Sequence, residues 1–252
     1  MDKQHFTIVI PAYNCERWAK RNILSAVKQE YDNFDVIYTS DASTDDTLNQ
    51  VKEAIEDYSG DVKDNIRIFS NEENKKALYN IVRSVNESKP GTVIVTLDGD
   101  DWLPHQNVLD NLNEVYSDPE VWMTAGSYLD SYSGMVSSPN LSESYWDGNI
   151  RRHLWTISHL RTFRRKLFLK INIDDMLDRD GNLYKFTFDQ AMMYPMAEMA
   201  GPKHFREIRD VLYIYNRLNP LSVDRVHRSD QLRIEQDIRN RKPYQRLEKL
   251  YE

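Results

Sequence analysis

Four short β-branched runs, separated by segments of helical periodicity and packed into the first hundred residues, constrain this chain more than any other feature. Such alternation builds a mostly parallel sheet with helices on its faces. The spacing predicts a strand over Phe6 to Ile10, a helix over Glu16 to Gln29 with Trp18, Ile23, Ala26 and Val27 near helical spacing, and a second strand over Phe34 to Thr39. Ser43 with Asp46 three residues on predicts a capping box, and Leu48, Val51 and Ile55 form the apolar stripe of the helix behind it. A third strand over Ile66 to Phe69 and a helix carrying Ala77, Leu78, Ile81, Val82 and Val85 follow. Thr92 to Leu97 reads as a strand buried on both faces, because nearly every residue is apolar or β-branched. It stops abruptly at Asp98-Gly99-Asp100-Asp101.

Past that point the rhythm loosens. A helix is expected from about Asn107 to Tyr116 and a strand from Val121 to Tyr128, then a Ser-, Gly- and Asn-rich passage to Asn149 that reads as a mobile loop. Arg151 to Lys170 is basic and aromatic, Asp189 to Met199 is predicted helical, Val211 to Tyr215 is a short strand, and the charged tail from Arg225 reads as a surface helix. No internal repeat or interdomain linker interrupts the chain. One domain over 1–252 is expected, with 1–104 and 105–252 as its halves.

At 252 residues the chain can bury a sizeable core without staples. A single cysteine, Cys15, excludes an intramolecular disulfide framework and a multi-cysteine zinc site, and suits a reducing compartment. Thirty-three basic against 40 acidic residues, a net charge of -7, argue against a nucleic-acid coat protein. Only eight glycines are present, and none fall in the spacing of the usual dinucleotide or P-loop fingerprints. The amino terminus reaches Pro11 after a short apolar run, so neither a signal peptide nor an anchor is expected there. Mean hydropathy of -0.70 fits a cytoplasmic protein, with peripheral membrane contact still open to it.

The acidic cluster is the sharpest chemical signal. Carboxylates this close repel one another unless a cation joins them, and oxygen donors at the carboxyl end of a central strand suit Mg²⁺ or Mn²⁺ clamping a diphosphate. A solvated turn with Asp98 capping the next helix is the other reading of the same residues. Two more polar loops, Pro11-Ala12-Tyr13-Asn14 and Ser40 through Asp46, follow neighbouring strands, so three strand ends converge on one crevice. Tyr13 can lie against a planar base or serve as a core aromatic. Asp41 can accept from the imide or amide N–H of such a base or cap a helix.

Taken together, TIVIPAYNCERWAKRNILSAVKQEYDNFDVIYTSDASTDDT and TLDGDDWL resemble the opening and the D-x-D motif of family 2 glycosyltransferases. The resemblance implies an α/β fold of GT-A type, a mostly parallel central sheet flanked by helices with a divergent C-terminal acceptor-binding half. It also implies a nucleotide-sugar site built from Pro11, Ala12, Tyr13, Asn14, Asp41, Asp98, Gly99 and Asp100. Within it Asp100 would bind the divalent ion, Asp98 would reach the ribose or the ion's waters, and Asp101 would orient the loop. Departures from the family pattern are Ser40 for an Asp, Ala42 for a Gly, and Leu78-Tyr79-Asn80 for A-R-N. A UDP-sugar is the expected donor and a GDP-sugar the alternative.

Inverting transfer needs a base for the acceptor hydroxyl. The family's E-D motif is matched best by Phe188-Asp189, which makes Asp189 the candidate ahead of Asp174, Asp175, Asp178 and Asp180; a plain helix cap is its other reading. The segment WTISHLRTFRRKLF offers Trp155, His159, Arg161 and Arg164 as acceptor-site residues, or simply an amphipathic surface helix. VLYIYNRLNPLSVDR resembles the family's Y-R-x-H-x-x-S segment, and on that resemblance Arg217 and His227 would approach the phosphates, His227 also as a further metal contact. The expected activity is sugar transfer from a nucleotide-diphosphate donor to a hydroxyl of a glycan or glycoside acceptor. A sugar-1-phosphate nucleotidyltransferase and a non-catalytic carbohydrate- or nucleotide-sugar-binding protein are the rivals.

Overall fold

The computed structural model describes residues 3–58, 60, 65–220 and 226–250. Strand β1 (Phe6–Ala12), helix α1 (Glu16–Val27), β2 (Phe34–Ser40), α2 (Thr47–Asp57), β3 (Ile66–Ser70), α3 (Lys76–Glu87) and β4 (Val93–Thr96) follow the alternation read from the sequence. After α4 (Val108–Tyr116) come β5 (Met123–Asp130), the two-residue β6 (Val136–Ser137), the single turn α5 (Glu143–Trp146), β7 (Arg161–Arg164) and α6 (Arg165–Phe168). The chain ends in α7 (Phe188–His204), β8 (Phe205–Tyr215) and α8 (Arg228–Asn240).

Among the described residues one sheet carries the eight strands in the order β3-β2-β1-β4-β7-β5-β6, with β8 beside β5. β1 to β4 pair in parallel, β7 runs antiparallel between β4 and β5, and β8 is parallel to β5. Because side chains alternate along a strand, Phe6, Ile8 and Ile10 of β1 enter the core beneath α1, α2 and α4, while Val9 enters a second core. That second core packs Leu78, Ile81 and Val85 of α3 against Phe163 of β7 and the apolar surface of α7. α7 is buried from Gln190 to Gly201 without a break, as expected of a helix apolar all round; it kinks at Gly201, where φ is 58°. Among the described residues no helix is long and apolar enough to cross a membrane.

Differences from the sequence reading are concentrated in the second half. The run expected as an amphipathic helix contains β7, a fully buried internal strand. Its two arginines misled because their charges are answered inside: Arg164 donates to the main-chain carbonyls of Tyr116, Asp118 and Val121 and to Gln4. The Ser-rich passage is anchored by Tyr145 and Trp146 in the second core, and Leu141 N donates to Glu207. β8 begins six residues before the expected Val211, in a stretch whose Arg, Glu and Asp side chains disguised a strand paired on β5 through a bulge at Gly126–Tyr128. At α2 the capping box does not form: Ser43 Oγ accepts from Asn14 N across the loops, and the helix starts at Thr47. The surface helix of the tail is α8, seated by Ile234 and Ile238; its expected start at Arg225 lies outside the described residues.

A buried ion pair ties the second half together. Arg151 meets Glu198 of α7 in a bidentate pair at 2.6 and 2.8 Å and donates to the carbonyl of Ile238, while Tyr244 N donates to the same carboxylate. Removing one member strands the other charge in the core, which costs about 3–5 kcal/mol. Glu198→Ala is therefore expected to lower unfolding free energy by that amount in urea titration. The double replacement Arg151→Met with Glu198→Leu should recover most of the loss.

Candidate active site

The strand order reverses between β1 and β4, where an open α/β sheet leaves a crevice at its carboxyl edge. Here the two strand ends almost touch. Gly99 N donates to Pro11 O at 3.1 Å, and Asp41 N donates to Ala12 O at 2.8 Å. A Cβ on Gly99 would stand 2.5 Å from Ala12 Cβ and 2.8 Å from Ala12 Cα, so only glycine allows the acidic loop to lie against the end of β1.

Four non-glycine residues among those described have positive φ: Asn14 (48°), Ala42 (57°), Lys76 (70°) and Thr187 (57°). Asn14 and Ala42 lie on the loops after β1 and β2, Lys76 opens α3 after the β3 loop, and Thr187 immediately precedes α7. Strain of this kind persists where surrounding structure fixes a loop for a purpose. Asn14 Oδ1 accepts from Thr44 N at 2.8 Å and its own N–H donates to Ser43 Oγ, so Asn14 splices the first two loops together. Ala42 occupies the position where the family pattern has Gly, and its φ explains why. Tyr13 is 46% exposed, with Lys76 Nζ 5.9 Å from its ring centre, so the core-aromatic reading does not hold. Asp41 is buried and accepts from Lys75 N, Lys76 N and Asn71 Nδ2, so most of its hydrogen-bonding capacity is spent at the start of α3. The helix-cap role is therefore present, at the start of α3.

The acidic loop is gripped from two sides. Asn22 Nδ2 of α1 donates to the carbonyls of Asp98 and Asp101 at 2.9 and 2.8 Å. Tyr213 OH of β8 donates to Asp101 Oδ2 at 2.5 Å, and from the turn after β8 Asn216 N donates to Asp101 Oδ1 and Asn219 Nδ2 to Asp100 Oδ2. Burial and the neighbouring Asp100 and Asp98 push the Asp101 carboxyl well above the usual range, and burial likewise raises Asp98. Sequence reasoning missed Asn22, Tyr213 and Asn219. Nothing marks Asn22 except a polar residue on the inner face of an amphipathic helix.

Arg161 of β7 connects this loop to α7. Its Nη2 donates to Asp98 Oδ2 at 3.2 Å and to His159 Nδ1 at 3.1 Å, and its Nη1 lies 3.7 Å from Asp189 Oδ2. The guanidinium is thus committed inward, which corrects the expectation of an acceptor-facing Arg161. His159 is buried too, sandwiched between Tyr213 and Tyr215 at 4.4 and 5.0 Å, and burial beside Arg161 holds it neutral, its pKa well below normal. Trp155 packs edge-on against Tyr194 of α7 at 4.9 Å, a core contact rather than a free stacking platform. Arg217 sits over Tyr215 and 3.7 Å from Asp130. His227 stacks on Phe186 at 4.6 Å, and Phe186 in turn lies 6.0 Å from Lys76 Nζ. Asp189 stands in the first turn of α7, whose cap position is Thr187, so it is not a cap. Of the rival carboxylates, Asp175 accepts from Tyr244 OH and Asp178 is used within its own turn. Cys15 is inert, its thiol pushed up to about 12 by burial.

The donor set suits a hard divalent cation. Asp98, Asp101 and His159 bring ligand-type atoms within 4.8 Å of one another. Both Asp101 oxygens and His159 Nδ1 accept protein hydrogen bonds, and the half-buried Asp98 and Asp100 each give one carboxylate oxygen to a protein donor, Arg161 and Asn219.

This fold agrees with what the chain resembles. The model of the glycosyl transferase family 2 matches residues 7–179, and the chain belongs to that family. The putative glycosyltransferase EpsE of Bacillus subtilis is 34% identical over 95 residues, which is 38% of this chain and 32% of EpsE. The match thus spans about a third of that relative's length. Mannosyltransferase PcManGT from Pyrobaculum calidifontis, solved with GDP-Man and Mn²⁺, superposes with a TM-score of 0.64 at 18% identity, over 97% of this chain and 67% of that one. S. aureus TarS residues 1–349 in complex with UDP give a TM-score of 0.62 at 15% identity, over 93% and 65% of the two chains. The architecture is the GT-A fold.

Two substitutions test the loop geometry. Gly99→Ala must force β1 and the acidic loop apart and should destabilise by about 1–3 kcal/mol, read as a lowered Tm. Ala42→Gly relieves a left-handed backbone at an ordinary gain in unfolded-state entropy, and should raise stability by roughly 0.5–1 kcal/mol in the same assay.

Proposed function

We propose that the chain is an inverting glycosyltransferase that moves a sugar from a nucleotide-diphosphate donor to a hydroxyl of a glycan or glycoside acceptor. The observation that carries this reading is the single guanidinium of Arg161 reaching both the acidic loop at Asp98 and the carboxylate of Asp189. A donor-side acid and a second-half carboxylate therefore meet on one guanidinium. That is the arrangement needed to activate an acceptor beside a departing diphosphate.

In this proposal the donor's base lies against exposed Tyr13, with Pro11, Ala12 and Gly99 forming the floor and Asp41 facing an imide or amide N–H. Asp98 and Asp100 hold the divalent cation, Mn²⁺ or Mg²⁺, which when bound neutralises charge on the leaving diphosphate. Lys76 adds positive charge at the rim. Asp189 takes the proton of the acceptor hydroxyl as its oxygen attacks the anomeric carbon opposite the nucleotide, which inverts that centre. UDP-sugars are the first donors to test, with GDP-sugars second; TarS was solved with UDP and PcManGT with GDP-Man.

Calorimetry of UDP and GDP with Mn²⁺ and after EDTA is expected to show metal-supported binding, weakened at least tenfold by Asp100→Asn and far less by Asp101→Asn. Equal affinity with and without metal would remove the cation from the proposal. Asp189→Asn should keep donor affinity while sugar transfer falls at least roughly a hundredfold, since general-base catalysis contributes about 10² to 10⁴ in rate.

A further inference from the structure

Arg161 has no solvent role. Its side chain is 2% exposed, on a strand buried along its whole length, yet it bears a full charge. Burying a charge is costly unless it is paired, and this one is paired with two carboxylates from the two halves of the chain. The two contacts differ in kind. The Asp98 contact, 3.2 Å from Nη2, is a hydrogen bond. The Asp189 contact, 3.7 Å from Nη1, is longer than a hydrogen bond and holds the carboxylate by charge without occupying a lone pair. Asp189 keeps 24% of its side chain accessible. A carboxylate that must receive a proton from an incoming hydroxyl needs both features: a fixed place and an uncommitted oxygen.

The support behind Arg161 is rigid. His159 Nδ1 accepts from the same Nη2 that reaches Asp98, and its ring is clamped between Tyr213 and Tyr215. Tyr213 also donates to Asp101, so the guanidinium, the acidic loop and the end of β8 form one connected unit. Behind the ion pair, Phe188 lies 5.5 Å from the guanidinium carbon, where the family motif has Glu. A glutamate there would add a third carboxylate to one guanidinium; the aromatic ring leaves Asp189 without that competitor.

We infer that Arg161 is a positioning residue which, through one guanidinium, sets the place of the Asp189 carboxylate relative to the acidic loop and so makes the reactivity of Asp189 depend on it. This rests on the glycosyltransferase reading with Asp189 as base. Arg161 touches neither sugar nor acceptor in this arrangement. Its contribution lies in the maximal rate of transfer and not in donor affinity.

The test is a double-mutant cycle on the full chain with Arg161→Lys, Asp189→Asn and the combination, reading donor affinity by calorimetry with the nucleoside diphosphate and Mn²⁺, and transfer as kcat and donor KM separately. Lysine keeps the charge and so guards against simple unfolding; circular dichroism and Tm are compared for all four proteins. Arg161→Lys is expected to lower kcat at least tenfold with donor KM and diphosphate affinity changed less than threefold. In the Asp189→Asn background the same change should cost less than threefold further, because residues acting as one unit are not additive. Independent, multiplicative losses would overturn the coupling while leaving Asp189 as base. A loss seen only in donor affinity would make Arg161 part of the donor site and equally overturn it. Unaltered transfer by Asp189→Asn alone would overturn the base assignment and the inference with it.

Discussion

The near-contact of Gly99 with the end of β1 is the constraint on which the site depends. Parallel strands β1 and β4 are neighbours only because the chain goes out to β2 and β3 and returns, and the reversal opens a crevice just beyond their carboxyl ends. What fills the floor of that crevice is main chain: Gly99 N on Pro11 O, Asp41 N on Ala12 O. Because no side chain intervenes, the acidic loop, the Tyr13 loop and the Asp41 loop are held against one another. The strained backbones at Asn14, Ala42 and Lys76 belong to the same device, since loops tied to one another by Asn14 cannot relax independently.

The second half completes the site by invading the sheet of the first. β7 inserts between β4 and β5, antiparallel to both, and carries Arg161 to a point beside the loop that follows β4. β8 then returns alongside β5 and delivers Tyr213 and Asn216 to Asp101. Thus the loop that reads as three unrelieved carboxylates in four residues is balanced by one buried arginine and a set of neutral donors. The balance is local. Elsewhere the buried pair Arg151–Glu198 performs a separate structural task, joining α7 to the tail through Ile238 and Tyr244.

Legibility in the sequence followed the physics of each element. β1 to β4 and α1 to α3 were read nearly to their ends, because β1, β2 and β4, parallel and buried on both faces, must be largely apolar runs, the edge strand β3 alternates, and the covering helices must carry an apolar stripe. α7 was read for the same reason. β7 and the start of β8 were not, since Arg161, Arg164 and Glu207 carry charges answered by Asp98, the carbonyl of Val121 and Leu141 N, all distant in sequence. A charge that is answered by a carbonyl or carboxylate forty or more residues away looks, from its neighbours alone, like a surface charge.

Residue by residue the same division holds at the site. The sequence by itself determined the three converging loops, the acid cluster at a strand end and the carboxylate opening an apolar helix, because strand–turn–helix spacing and burial patterns are local properties of the chain. Only the tertiary structure decided which of those groups are spent: Asp41 at the start of α3, Asp101 on Tyr213 and Asn216, His159 between two tyrosines, Arg161 between Asp98 and Asp189. Hydrogen-bond saturation and ion pairing depend on what the fold brings alongside, and β7 and β8 reach the acidic loop from more than sixty residues away in the chain.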